Sequence, residues 1–364
     1  MTSNTIEDET GNGQSEADAL RPARGLRGCE LPLSEAYDAA LLDLDGVLYI
    51  GGSPIAGAAD ALADAARRGM RRAYVTNNAS RSPSAIAAQL TGMGVPAAAS
   101  DVVTSAQAAA HLLADRLPAG APVLVVGGTG LRLALHARGL RPVSAAAEKP
   151  LAVVQGYAPG ISYGLLAEAM LALNAGALYV ATNADPTLPA PHGLQPGNGS
   201  LVQVLVTATG IKPIVAGKPE PPLHAESVQR VGASRPLVVG DRLDTDIEGA
   251  VRGGADSLLV LTGVTRPLDL LLAGPQERPS YLARDLSGLN AAHPPVEADG
   301  AGFRCGGWAA APGGRWLTVA GKGSWIDGLR ALAAAAWSAG PPSGRPAEQH
   351  DTAEAVLALI GEPD

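Results

Sequence analysis

Cysteine is scarce in this 364-residue chain, which holds only Cys29 and Cys305. One disulfide is formally open to the two, but so long and cysteine-poor a chain reads as one from a reducing compartment. Aromatic residues make up 3% of the total, with a single phenylalanine. An excess of basic charge is missing as well: 27 Lys and Arg stand against 35 Asp and Glu, a net charge of -8. With no basic stripe, a nucleic-acid partner is not expected. No apolar run approaches the roughly 20 residues of a membrane span, so no membrane partner is expected either. The first twenty residues lack lysine and arginine but carry Glu7, Asp8, Glu9, Glu16 and Asp18, the reverse of a signal peptide. A cytoplasmic protein is the expectation.

Apolar material is plentiful, 46% of residues, and the length favours two or three domains. Residues 1–36 are polar, acidic and unpatterned and read as a disordered tail. From Tyr37 onward short apolar runs alternate with alanine-rich helical stretches. Thus "AALLDLD" precedes "GAADALADAARRG", "RRAYVTNN" precedes "SPSAIAAQLTGMG", and "PVLVVGG" precedes "GLRLALHARG". The alternation continues through "LAVVQGY", "LYVATNAD", "KPIVAGKPE", "PLVVGDRLD" and "SLLVLTGV". The pattern predicts an α/β protein built on a doubly wound, Rossmann-like parallel sheet. All four tryptophans (Trp308, Trp316, Trp325, Trp337) and Phe303 fall after residue 300, behind the linker "NAAHPPVEADGAG". Residues 295–364 are therefore expected to form a separate small α+β module with two short strands and a helix.

In open parallel sheets, ligands sit beyond the carboxyl ends of the strands. The first run ends in Asp43 and Asp45, and the second in Thr76, Asn77 and Asn78. A later run reaches Lys218 in "AGKPEP", and another ends in Asp241, with Asp244 and Asp246 close behind. Burying Asp43 beside Asp45 is expensive unless something compensates the charge. Asp43, Asp45 and Asp241 offer the oxygen ligands that Mg²⁺ prefers. Lys218 adds a fixed positive charge, and Thr76 and Asn77 add neutral donors for phosphoryl oxygens. One aspartate can attack phosphorus while its neighbour protonates the departing oxygen and later activates water. The set suits Mg²⁺-dependent hydrolysis of a small phosphate monoester.

The ordered series "DLDGVL", "VTNN", "GKPEP" and "GDRLDTD" resembles the haloacid dehalogenase-like phosphatases, and within them the NagD and 4-nitrophenylphosphatase subfamily, over residues 37–290. The resemblance implies a catalytic core of residues 37–112 and 211–290, interrupted by an α/β cap at 113–210. It implies that Asp43 is the nucleophile and Asp45 the general acid/base, which also gives the metal a backbone carbonyl. Asp241 matches the third metal ligand and Asp246 its supporting carboxylate, while Thr76, Asn77 and Lys218 match the phosphate binders. No motif position is replaced. A core of this kind with a short α+β tail is similar to the glycerol 3-phosphate phosphatases, whose tail resembles part of an acetyltransferase domain. Glycerol 3-phosphate is thus the leading expected substrate, with phosphoglycolate, pyridoxal phosphate and aryl phosphates as alternatives.

The cap loop "TNADPTLPAPHGLQPGNGS" is expected to lie over the catalytic rim and to read the leaving group through Asn183, Asp185 and His192. It offers no aromatic clamp besides His192. A reading of another class comes from "VLVVGGTGLRLALHARG", where Gly127, Gly128 and Gly130 lie between a strand and a helix, with Glu148 further on. This imitates a dinucleotide fingerprint, and a nucleotide-binding regulator is the alternative it supports. His111, His136 and His224 are assigned to structure or surface, and the tryptophans to a small core. "GKGSW" is a poor substitute for the glycine-rich loop of an acetyl-CoA site. The sequence leaves a homo-oligomer open.

Overall fold

The computed structural model describes residues 25–190 and 193–362. The first strands of the parallel sheets are β1 (Ala39–Leu42), β2 (Arg71–Thr76) and β3 (Val102–Thr104), with a short hairpin, Tyr49–Ile50 and Ser53–Pro54, between β1 and β2. A second group follows, β4 (Pro122–Val126), β5 (Arg141–Val143), β6 (Ala152–Gln155), β7 (Leu178–Ala181) and β8 (Ile214–Val215). The chain then returns for β9 (Pro236–Gly240), β10 (Asp256–Val260) and β11 (Tyr281–Ala283). The first and third groups merge into a six-stranded parallel sheet ordered β11-β10-β9-β1-β2-β3. The second group makes its own five-stranded parallel sheet, ordered β8-β7-β6-β4-β5. Strands buried on both faces read as continuous apolar runs rather than alternating ones, and β1 is buried at every residue. The winding reverses between β1 and β9 in one sheet and between β4 and β6 in the other, and such reversals open a crevice at the carboxyl ends.

Of the tail expected over residues 1–36, residues 1–24 lie outside the described residues, and residues 25–36 belong to the fold. Cys29 and His293 exchange two backbone hydrogen bonds of 2.8 Å, Arg27 N–H donates to the Ser280 carbonyl at 2.8 Å, and Leu33 is fully buried. Backbone pairing and one leucine pin a segment whose composition looks unstructured. Both cysteines carry free thiols. A second correction concerns "KPIVAGKPE": its strand, β8, pairs with β7 of the five-stranded sheet. Lys218 therefore reaches the six-stranded sheet from a loop, at the chain's return from the insertion, and not from a strand of that sheet.

The tail has four strands where two were expected. β12 (Glu297–Asp299), β13 (Gly302–Cys305), β14 (Trp308–Gly313) and β15 (Trp316–Gly321) form an antiparallel meander packed on the helix Trp325–Ala339. β12 lies in the stretch read as linker; all three of its residues are exposed, so no apolar alternation marks it. The four tryptophans are buried, and each indole N–H donates to a carbonyl: Trp308 to Ser324 (3.1 Å), Trp316 to Gly340 (2.8 Å), Trp325 to Gly361 (3.1 Å) and Trp337 to Leu270 (2.9 Å). They do form a core, but it is shared: Leu259, Leu268, Leu270 and Leu282 from the catalytic half belong to the same apolar cluster. Among the described residues no helix is long and apolar enough to cross a membrane.

Trp337→Ala should lower the stability of the whole protein by about 3–5 kcal/mol. Trp337→Phe, which keeps most of the ring and loses the N–H, should cost about 1 kcal/mol. Urea unfolding followed by tryptophan fluorescence and far-UV dichroism checks this. A separately packed tail would instead show its own early transition and leave the main midpoint in place.

Candidate active site

Because β1 and β9 are neighbours, with Leu42 in register with Val239, the residues just past their carboxyl ends meet. Asp43 follows β1 and Asp241 follows β9. Asp246 joins them from the wide, π-type turn Leu243–Ile247, a geometry frequent at functional sites. One carboxylate oxygen from each of Asp43, Asp241 and Asp246 lies within 4.8 Å of the other two. Glycines make the approach possible. A Cβ on Gly240 would stand 2.2 Å from that of Asp246. Gly46, in the left-handed region at φ 81°, would place a Cβ 2.3 Å from Asp241 Oδ2, so the glycine of "DLDG" is required both by its backbone and by its neighbour.

The Lys218 ammonium enters this acidic cluster. It donates to Asp43 Oδ1, to Asp246 Oδ1 at 2.7 Å and to the Val75 carbonyl at 3.3 Å. Burial pushes the Asp43 carboxyl up to about 8 against the pull of Lys218. Burial, helped by Asp246, pushes Asp241 up to about 6. For Lys218, burial acts downward, but Asp246 and Asp43 outweigh it and hold the ammonium above its usual range. Asp241 Oδ2 accepts the Val264 N–H at 2.6 Å, whereas its Oδ1 is buried with no hydrogen-bond partner. Three crowded carboxyl groups, one of them with an unsatisfied oxygen, fit a divalent cation with a preference for hard oxygen donors, as Mg²⁺ has.

The other expected residues are distributed around this centre. Asp45 is not one of the three converging carboxylates; its side chain accepts the backbone N–H groups of Gly46 and Gly51, and burial raises its pKa. Asp244 is exposed and gripped by Arg242 at 2.7 and 3.0 Å. Thr76 Oγ1 accepts the Asn78 N–H at 3.1 Å. The Asn77 side chain is engaged at both ends: its oxygen accepts the Lys218 N–H at 2.8 Å, and its amide donates to the Lys218 carbonyl at 3.1 Å and to Asp185 at 3.3 Å. Asn183 is 5% exposed and donates to the Asn77 carbonyl at 2.8 Å. His192 lies outside the described residues. His111 is paired with Glu226 at 2.6 Å, a contact between helices away from the cleft.

A cleft of about 290 Å³ lies between the two sheets, with Asp43, Asp45, Thr76 and Lys218 on one wall and Asn183 and Asp185 on the other. Tyr49, Arg81, Tyr157, Asn198 and Arg242 also line it, and sequence reasoning missed all five. Two carried a signal. Arg242 sits inside "GDRLDTD", and Tyr157 ends the run "LAVVQGY", so applying the strand-end rule to the second sheet would have found it.

The glycine-rich decoy has another occupant. The crevice at the reversal between β4 and β6 is filled by the segment Ala79–Arg81 of the catalytic half. Gly130 N–H donates to the Ser80 carbonyl at 3.2 Å. A Cβ on Gly130 would stand 2.6 Å from the Arg81 carbonyl, and one on Gly128 3.4 Å from Ser80 Cα. Glu148 is held by Arg141 at 3.1 Å. These glycines seat one half of the molecule on the other.

Comparison with known proteins agrees with this geometry. Models described as haloacid dehalogenase-like hydrolase and HAD-hydrolase-like match residues 40–141 and 215–289, and one described as GCN5-related N-acetyltransferase-like domain matches residues 305–361. The D-glycerol 3-phosphate phosphatase of Mycobacterium tuberculosis is 46% identical over 323 residues, 84% of this chain and 88% of that protein. The acid sugar phosphatase of Staphylococcus saprophyticus is 37% identical over 253 residues, 69% of this chain and 96% of that protein. The crystal structure of the M. tuberculosis glycerol phosphate phosphatase in complex with magnesium superposes with a TM-score of 0.81 at 44% identity, covering 92% of this chain and 99% of that one. The 4-nitrophenylphosphatase of Thermotoga maritima superposes with a TM-score of 0.66 at 30% identity, covering 71% and 98%. The chain belongs to the haloacid dehalogenase-like hydrolases.

Proposed function

We propose that this protein hydrolyses small phosphate monoesters in the cytoplasm, glycerol 3-phosphate first among them, with Mg²⁺ as its cofactor. The observation that carries the reading is the meeting of Asp43, Asp241, Asp246 and Lys218 beneath one small cleft. Asp43, Asp241 and the Asp45 carbonyl would hold the ion, with Asp246 in support. When bound, it supplies the charge that neutralises the phosphate dianion and the crowded carboxylates.

Lys218 and the Thr76 hydroxyl orient the phosphoryl oxygens. Asp43 attacks phosphorus in line, the bond to the leaving oxygen breaks, and an aspartyl-phosphate forms. Asp45, kept protonated more readily by its raised pKa, gives its proton to the departing alkoxide. The resulting carboxylate takes a proton from water, whose oxygen displaces Asp43 from phosphorus and releases phosphate. The cleft is small, and Asp185 in its wall is sited to accept a hydrogen bond from a glycerol hydroxyl. Likeness to the M. tuberculosis enzyme favours glycerol 3-phosphate. Tyr49 and Tyr157 in the wall favour a second reading, an aryl or pyridoxal phosphate, and parallel rate measurements on polyol and aromatic esters separate the two.

Asp43→Asn should lower turnover by more than about 10³-fold while far-UV dichroism stays unchanged; a variant retaining substantial activity would remove the assigned nucleophile. Mg²⁺ binding should be proton-linked. With Asp43 raised to about 8 and Asp241 to about 6, both must ionise to hold the ion. Apparent affinity should therefore climb as pH rises from 6 to 8 and flatten above. Calorimetry at neutral pH in two buffers of different ionisation enthalpy should register proton release, and equal heats in the two would contradict the assignment.

A further inference from the structure

Asn183 sits in the loop that covers the cleft, where a side chain is expected to read the leaving group. Its contacts point elsewhere. The residue is 5% exposed, its Nδ2 donates to the Asn77 carbonyl at 2.8 Å, and its Oδ1 accepts the Asp185 N–H at 3.3 Å. Its own carbonyl accepts from Asn198 Nδ2 at 2.8 Å, and Asn198 is 2% exposed. A second donor, the fully buried Ser105 hydroxyl, reaches the same Asn77 carbonyl at 2.7 Å. Both lone pairs of that oxygen are thereby used, one from each half of the molecule.

Asn77 in turn sets Lys218. The Asn77 side chain clasps the backbone N–H and carbonyl of Lys218 at 2.8 and 3.1 Å. The clasp is close enough that a Cβ on Gly217 would stand 2.5 Å from Asn77 Oδ1 and 2.4 Å from the Thr182 carbonyl. The Lys218 ammonium then donates to Asp43 and Asp246. A continuous series of hydrogen bonds, buried at Asn198 and part-buried beyond it, thus runs from Asn198 through Asn183 and Asn77 to the Lys218 ammonium.

We infer that Asn183 and Ser105 are positioning residues for the phosphate cradle: they fix the Asn77 backbone, and through it Lys218, and neither reads the leaving group. The inference rests on the phosphatase reading above and deepens it. Selection among esters is left to groups whose side chains face the cleft, Asp185 foremost.

Inorganic phosphate is the decisive probe, because it occupies the phosphoryl site and has no leaving group. In the full-length, Mg²⁺-loaded protein, the inhibition constant for phosphate would be measured beside kcat/KM for glycerol 3-phosphate and for 4-nitrophenyl phosphate. Asn183→Ala should weaken phosphate inhibition about tenfold and lower both kcat/KM values by the same factor, so their ratio holds within about twofold. Ser105→Ala, a smaller change in the other half of the molecule, should repeat this pattern more mildly and keeps the test open if Asn183→Ala folds poorly. Asp185→Asn should instead shift the ratio between the two esters, whatever the loss of its contact with the Asn77 amide at 3.3 Å does to phosphate inhibition. A changed ratio with unchanged phosphate inhibition in Asn183→Ala would make it a leaving-group reader and overturn the inference. So would a loss of thermal stability alone, with both constants unmoved. If the unaltered protein hydrolysed neither ester, the phosphatase reading itself would fall, and the inference with it, a result distinct from either variant outcome.

Discussion

The structure depends on holding three carboxyl groups and one ammonium in a space that water barely reaches. Two like charges roughly 4 Å apart repel by about 4 kcal/mol at the effective dielectric of a protein surface, and burial adds to that cost. Lys218 offsets part of it, and a divalent ion would offset the rest. The surrounding architecture reads as the means of bringing these groups together. The reversal between β1 and β9 sets Asp43 beside Asp241, the π-type turn folds Asp246 inward, and Gly46 and Gly240 remove the Cβ atoms that would keep them apart. The cation comes from outside this sheet, on the loop that follows β8. The chain segment that closes the insertion is therefore the one that completes the charge balance of the core.

That placement explains why the two halves are interlocked rather than merely tethered. The Ala79–Arg81 segment, two residues past Asn77, fills the crevice of the five-stranded sheet at the Gly127–Gly130 turn. Asn183 and Asp185 grip Asn77 from the other side. One short stretch, residues 76–81, thus lines the cleft, seats the insertion and receives the cap loop. A movement of the five-stranded sheet relative to the six-stranded one would be felt first there, because all these contacts but the Asn77–Asp185 one are backbone-to-backbone or amide-to-backbone and have little slack.

The meeting of Asp43, Asp241 and Lys218 was legible in the sequence for a physical reason. Carboxylates, an ammonium and amides placed at the ends of apolar runs are costly unless they converge, so four such ends in order suggest one site. The parallel α/β architecture followed from strand–helix alternation. What escaped was information that composition does not carry. β8 reads like any other apolar run, and its membership of the second sheet is decided by pairing with β7. β12 and residues 25–36 are held by backbone hydrogen bonds that any sequence can make. The role of Asn77 was visible as a polar group on a strand end, but its commitment to Lys218 follows from geometry alone. Gly127, Gly128 and Gly130 imitate a dinucleotide fingerprint in the sequence, and in the structure Gly128 and Gly130 face the Ser80–Arg81 backbone: a pyrophosphate and a protein backbone make the same demand for a missing Cβ.

The tail follows the same logic. Of the two glycines in "GKGSW", Gly321 is consumed by packing, since a Cβ on it would stand 2.2 Å from the Gly307 carbonyl where β15 crosses the start of β14. The four indoles are likewise committed to carbonyls within the tail and to Leu270 of the catalytic half. The apolar cluster they enter also contains Leu243 and Ile247, the first and last residues of the turn that presents Asp246. Ile247 is fully buried there. A π-type turn gives up regular helical hydrogen bonding to aim its side chain, and such local irregularity persists when the surroundings over-determine it. The aromatic residues concentrated in the last seventy positions therefore bear on the chemistry mechanically: they extend the core that holds both ends of that turn, one residue away from the carboxylate facing Lys218.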